Sequence, residues 1–186
     1  PQEPDAGLLR AWGLEGKFVC SYIGTLGMAH GLEVVIEAAK ILRQKGRSDV
    51  RFCLVGEGAA RQALEKETIR SNLNDAILFT GQQPKEKIPA ILASSHACLI
   101  HLKNCPLFET VVPSKIFETM AMGRPMIMGV RGPARQIVME AGAGVDMQPG
   151  SAESLVQAVE SLADDPQRAG RMGQAARERV IQDFDR

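Results

Sequence analysis

No stretch of this sequence approaches the roughly 18 to 20 consecutive apolar residues that a membrane-spanning helix needs. The first residues, Pro1-Gln2-Glu3-Pro4-Asp5, lack both a methionine and the pattern of a secretory leader. An excess of charge is also missing: 22 basic residues balance 22 acidic ones, and the isoelectric point is about 7.3. Binding along a nucleic acid needs a basic excess to neutralise phosphates, so nucleic acid is excluded as a general partner. A local cation site for one nucleotide is not. The four cysteines, Cys20, Cys53, Cys98 and Cys105, form no CxxC or other metal-ligand spacing. Three lie inside apolar runs, which suits small reduced core residues and a cytoplasmic setting. His30, His96 and His101 do not cluster at metal-ligand spacing either. There is no internal repeat, no low-complexity segment, no nucleophile elbow and no catalytic triad.

What is present is an alternation of short apolar runs and helical periods. Strands are predicted over 17–23, 50–55, 76–80, 97–102, 125–129 and 144–147. Helices are predicted over 32–43, 59–70, 85–93, 114–122, 134–140, 152–163 and 167–180. In the first of these helices Leu32, Val35, Ile36, Ala39 and Leu42 share one face. The strands are continuous apolar runs, as expected where helices cover both faces of a parallel sheet. The fold class is therefore α/β, a Rossmann-like doubly wound sheet, with ligands expected at the carboxyl ends of the strands. Residues 1–16 read as a linker and 17–186 as one domain. The polar start and the abrupt end after a helical pattern suggest a piece of a longer protein.

Four strand-end loops hold the candidate chemistry. Gly24-Thr25-Leu26-Gly27-Met28-Ala29-His30-Gly31 puts three glycines in eight residues before a helix, where backbone N–H groups can meet phosphate. The spacing is neither the dinucleotide fingerprint nor a P-loop. A helix-packing turn is the plainer alternative, with His30 as a phosphate donor if the loop binds. Leu54-Val55-Gly56-Glu57-Gly58 reads as a structural turn with a first-turn acid. Around Gly81 and Gln83, backbone groups could hydrogen-bond a flat base. The fourth stretch, Pro113 to Pro125, is the most telling. Pro113 suits a helix start and Gly123 a helix end. Lys115 then sits beside the positive end of the helix, at a cost of about 0.3–1 kcal/mol that a bound anion would reverse. Three to four free N–H groups with one ammonium make a diphosphate site; a solvent-facing Lys115 is the alternative. Glu118 shares a face with Lys115 and could accept two ribose hydroxyls, or merely pair with Lys115. His101 lies on the same strand edge; His96 reads as structural.

Taken in order, these segments resemble the retaining glycosyltransferases of family 4, the glycosyl transferases group 1. The resemblance runs through Tyr22-Ile23-Gly24, Leu32 to Ala39, Leu54 to Gly58, Phe79-Thr80-Gly81, Pro113 to Met128 and the tail from Asp146 to Pro166. It implies the C-terminal, donor-binding half of a two-domain GT-B enzyme, with the acceptor domain absent from this sequence. It implies a nucleoside-diphosphate sugar as donor, a UDP-sugar favoured, and no bound cofactor or metal. The second glutamate of the family motif falls on Glu118, which implies ribose binding. The first falls on Thr110, with Glu109 one residue out of register. Positions that commonly carry Arg and Lys in the first loop are Thr25 and His30. Lys115 and Glu118 are thus the implied catalytic groups. Gly24, Thr25, Gly27, His30, Gly81, Gln83, Thr110 and Ser114 complete the implied donor site. The Pro-Ser-Lys-x-Phe-Glu form resembles a subset that builds O-antigen, capsule and exopolysaccharide chains. A saccharide or lipid-linked acceptor at the inner face of a membrane is implied by that subset. Two other readings stay open: a nucleotide-binding regulatory module without catalysis, and a sugar-nucleotide epimerase of similar shape.

Overall fold

The computed structural model describes residues 1–184; the last two positions of the expected domain, Asp185 and Arg186, lie outside the described residues. Six strands form one parallel sheet: β1 (Phe18–Ile23), β2 (Val50–Val55), β3 (Ile77–Gly81), β4 (Ala97–His101), β5 (Met126–Gly129) and β6 (Gly144–Asp146). Their order is β3-β2-β1-β4-β5-β6. The chain winds outward from β1 in one direction, then returns to start again at β4. The loops after β1 and β4 therefore diverge and leave a crevice between them, the usual ligand position in such sheets.

The strand interiors are buried on both faces, which is why their sequences do not alternate. Cys20, Tyr22, Phe52, Leu54, Leu99 and Ile127 point to one face. They meet α2 (Glu33–Gln44), α3 (Arg61–Arg70) and α7 (Ala152–Ala163). Cys98, Ile100, Met126 and Met128 point to the other, beneath α5 (Lys115–Ala121), α6 (Pro133–Glu140) and α8 (Pro166–Phe184). Val19, Cys53 and Val55 face that side too, under α4 (Ile88–Ala93). The face predicted for α2 is the buried one: Leu32, Val35, Ile36, Ala39 and Leu42 are all nearly inaccessible. Cys20, Cys53 and Cys98 are buried free thiols whose pKa values burial pushes up.

The sequence pattern missed three local features. Residues 1–16 contain a helix, α1 (Ala6–Ala11), capped by Asp5, whose Oδ1 accepts the Leu8 N–H at 3.0 Å. It is too short to show a period; Leu8, Leu9 and Trp12 dock it onto Val19 and Val55. The helix predicted over 85–93 is divided into a 3-10 turn, Lys85–Lys87, and α4. Pro89 has no N–H, so one α-helical ladder cannot run through it, but it fits a first turn. Two further 3-10 turns, Met28–His30 and Pro106–Phe108, sit inside segments read as loops.

Ile36 and Ile69 give a matched test of this packing, since Ile36 is 1% exposed under the sheet and Ile69 is 64% exposed on α3. Ile36→Ala is expected to lower unfolding free energy by about 2–5 kcal/mol in urea titration. Ile69→Ala should change it by less than about 0.5 kcal/mol.

Candidate functional site

At the carboxyl edge, the loops after β1 and β2 are fastened together by backbone. Gly24 N–H donates to the Val55 carbonyl at 2.8 Å, Leu26 N–H to Glu57 at 2.8 Å, and Ala60 N–H to Leu26 at 2.8 Å. A Cβ on Gly56 would collide with the Gly24 carbonyl, and one on Gly58 with Leu26. The structural reading of Leu54 to Gly58 therefore holds. Glu57 pairs with Arg61 and lines the cleft described below.

Lys115 does not point freely to solvent. It is half-buried at the first position of α5, and its Nζ stands 5.1 Å from the centroid of the Tyr22 ring. Cation–π attraction to the ring face favours this placement. Gly24, with φ 151°, lies directly beneath: a Cβ there would take the position of Nζ. Lys115 makes no hydrogen bond or ion pair among the described residues, Glu118 included; loss of water around it lowers its pKa, and the nearby Glu118 charge opposes that shift. An ammonium with few solvating groups and no bonded carboxylate is chemically suited to accept an anion. The backbone N–H groups of Ser114 and Lys115 also carry no bond among the described residues, whereas Ile116 and Phe117 donate to Pro113 and Ser114 at 3.2 and 3.1 Å. That corrects the expected three to four free donors to two, because the first turn tightens into i→i+3 bonds.

The other expected residues are placed as follows. Gly24 and Thr25 line a cleft of about 280 Å³ with Gly56, Glu57, Gln82 and Gln83. Ile23 and Ile88 line it too and also line a neighbouring small recess that includes Lys115 and Glu118. The Thr25 carbonyl accepts the Tyr22 hydroxyl at 2.7 Å, and the N–H groups of Thr25 and Gly27 are unpaired among the described residues. The Gly81 carbonyl is taken by the Gly56 N–H at 3.0 Å. The backbone N–H and carbonyl groups of Gln82 and Gln83 are left unpaired among the described residues. The Gln83 amide turns back to the Thr80 carbonyl at 3.0 Å. Ser114 and Glu118 are exposed at the start of α5. Thr110 is exposed in the loop before α5 and lines neither recess, while Glu109 packs its carbonyl against Gly132.

Tyr22 was not legible as a site residue. The one available signal is its position: the chain's single tyrosine stands two residues before the first loop glycine, on a strand buried on both faces.

The histidines divide. His30 sits against Lys115 and edge-on to Tyr22, ring centroids 5.9 Å apart, and its Nδ1 is buried without a hydrogen-bond partner. Burial first, and the Lys115 charge second, hold its pKa below the ordinary value; the Gly27 carbonyl opposes them weakly. His101 is saturated instead. Its Nδ1–H donates to the His30 carbonyl at 2.7 Å, and its Nε2 accepts the Gly150 N–H at 3.0 Å. It is 2% exposed and ties two loops together as a neutral ring. His96 Nδ1 accepts the Val19 N–H at 3.0 Å, the structural role expected of it.

The sequence model of the family described as glycosyl transferases group 1 matches residues 9–179. The chain belongs to the glycosyl transferases group 1. Alpha-D-kanosaminyltransferase of Streptomyces kanamyceticus is 29% identical over 171 residues, 92% of this chain and 43% of that protein. A GDP-mannose-dependent phosphatidylinositol monomannoside mannosyltransferase of Mycolicibacterium smegmatis is 26% identical over 179 residues, 94% of this chain and 47% of the relative. Among solved structures, Anabaena Alr3699/HepE in complex with UDP-glucose superposes with a TM-score of 0.83 at 22% identity. The match covers 97% of this chain and 48% of that one. The C-terminal domain of the group 1 protein LpcC from Francisella tularensis matches at TM-score 0.78 and 19% identity, over 98% of this chain and 95% of its own. This group 1 chain thus spans less than half the length of those two curated relatives. Among its described residues no helix is long and apolar enough to cross a membrane.

The three histidines yield a pH prediction. Each has its pKa lowered in the folded chain, so the unfolded chain binds protons more readily below about pH 6.5. The melting temperature should hold above that pH and fall as pH drops towards the folded values. His101→Gln, which cannot take up a proton, is expected to show a shallower fall in a thermal series from about pH 8 to pH 5.

Proposed function

We propose that this chain is the donor-nucleotide half of a retaining glycosyltransferase that transfers a sugar from a nucleoside diphosphate, a UDP-sugar favoured. The observation that carries the reading is Lys115. It is an unpaired, poorly hydrated ammonium held against Gly24 at the topological switch point, beside unpaired backbone donors. The diphosphate would lie between the Gly24–Gly31 loop and the start of α5. As the glycosidic bond breaks, negative charge grows on the departing diphosphate, and fixed donors aimed there stabilise the transition state more than the ground state. Lys115 supplies the full charge, the N–H groups of Ser114 and Lys115 the dipoles, and His30 a further ring donor.

Glu118 holds the ribose from the same helix turn. The base lies at Gln82 and Gln83, whose backbone groups are unpaired, rather than at Gly81, whose carbonyl is engaged. That the Anabaena relative was solved with UDP-glucose supports the uridine nucleotide. Thr110, where the family motif has a glutamate, leaves the donor sugar without that carboxylate. The acceptor would be a growing surface polysaccharide or a lipid-linked saccharide, with the full protein working at the inner face of a membrane. The acceptor side would come from sequence equivalent to the other half of the relatives. Near-attack geometry needs both halves.

Calorimetric titration of the chain with UDP and with GDP tests the donor site. Saturable UDP binding is expected, weakened roughly tenfold to a hundredfold by Lys115→Ala, the range for a hydrogen bond to a charged group. Equal affinity in the variant would contradict the assignment. Residues 1–186 alone should show no sugar transfer; sustained turnover would contradict the division of labour.

A further inference from the structure

The opposite edge of the sheet holds a second concavity. It opens where the strands begin, a strand's length of about 20 Å from the donor edge. Its volume is about 660 Å³, within the range of small-molecule sites. Its walls are apolar, with Leu9 and Leu14 from the N-terminal segment, Phe18 at the start of β1, Pro125 before β5 and Leu162 at the end of α7. Three basic or ring side chains line it, Arg124, His96 and Lys17, together with Ser94, Ser95 and the one carboxylate of Asp49.

Arg124 is the group the fold leaves unexplained. It is half-buried, its Nε is fully buried, and its side chain makes no hydrogen bond or ion pair among the described residues. A guanidinium withdrawn from water without a counter-ion is unfavourable, and burial accordingly lowers its pKa. The nearby carboxylates leave it without a bonded partner, although the Glu3 charge opposes part of that shift. Glu3 acts on Arg124 only at a distance, and Asp49 is held by two bonds from Arg47 at 3.0 Å. His96 adds a donor. Its Nδ1 accepts from Val19, so the neutral ring carries its proton on Nε2, and the side chain is exposed. Lys17 reaches only a carbonyl, that of Ser48, at 3.2 Å. A planar fork, a ring N–H and an ammonium around an apolar pocket match an anion with several oxygens on an apolar body.

We propose that this cleft is a second binding site, for a phosphate monoester carrying a ring or short apolar body, with Arg124 as its anchor and His96 as a second donor. The site is independent of the donor nucleotide and lies at the opposite, strand-start edge of the sheet. Phenyl phosphate is the probe, titrated into the whole chain and followed by calorimetry and by phosphorus NMR, with phenol and inorganic phosphate as comparisons. Phenyl phosphate should bind saturably and more tightly than either comparison. Arg124→Gln should weaken it roughly tenfold or more, as for loss of a charged hydrogen bond. Lys115→Ala should leave it unchanged. Arg124→Lys, which keeps the charge but loses the fork, should fall between, and a melting curve of each variant shows that it is folded. Loss of binding in Lys115→Ala with retention in Arg124→Gln would place the probe at the donor edge and overturn the proposal. So would phenol binding as tightly as phenyl phosphate, inorganic phosphate matching it, or no saturation by ~10 mM, weaker than the affinities useful to a small-molecule site.

Discussion

Two loops at the carboxyl edge, those after β1 and β2, approach one another so closely that no side chain fits between them, and the rest of the site follows from that. The carbonyl of Gly24 fills the space a Cβ on Gly56 would need, and Leu26 does the same to Gly58. With the loops after β1 and β2 drawn together, Lys115 can cross from α5 and rest its ammonium over Gly24 and the Tyr22 ring. A side chain at Gly24 would displace that charge directly. The glycines therefore act less as flexible points than as space reserved for a cation and for whatever anion joins it.

A second constraint fixes the same edge from the side. His101, at the end of β4, binds the His30 carbonyl with one ring nitrogen and the Gly150 N–H with the other. It joins the first glycine loop to the turn before α7, across residues far apart in sequence. His30 is left with an unpartnered Nδ1 beside Lys115. One histidine is spent on architecture so that another stands at the ligand edge. The two are alike in sequence setting, both at strand-end loops, and only the three-dimensional partners tell them apart.

Legibility tracked the range of the interaction. The strands and the longer helices were plain because their signals are local: Phe52 and Leu54 are buried on one face, Cys53 and Val55 on the other, so the run from Phe52 to Val55 is continuously apolar. The start of α5 was readable because Pro113, Lys115 and Gly123 each have a positional meaning in a helix. The helix Ala6–Ala11 was not, since six residues show no period and its stability comes from docking on β1 and β2. Tyr22 and Lys115 meet across more than ninety residues, and no spacing announces that. Family resemblance supplied the roles of Glu118 and Thr110. The fold puts Glu118 beside Lys115 and leaves Thr110 on an exposed loop.

The central claim is that Lys115 is a desolvated cation waiting for a diphosphate. Its ammonium pKa can be read directly, by titrating the Cε carbon signal of Lys115 in the chain labelled at lysine, assigned by its loss in Lys115→Ala. The account predicts a value below the ordinary lysine pKa of about 10.4 in the free chain and an upward move on saturation with UDP. An ordinary value that UDP leaves unchanged would contradict it.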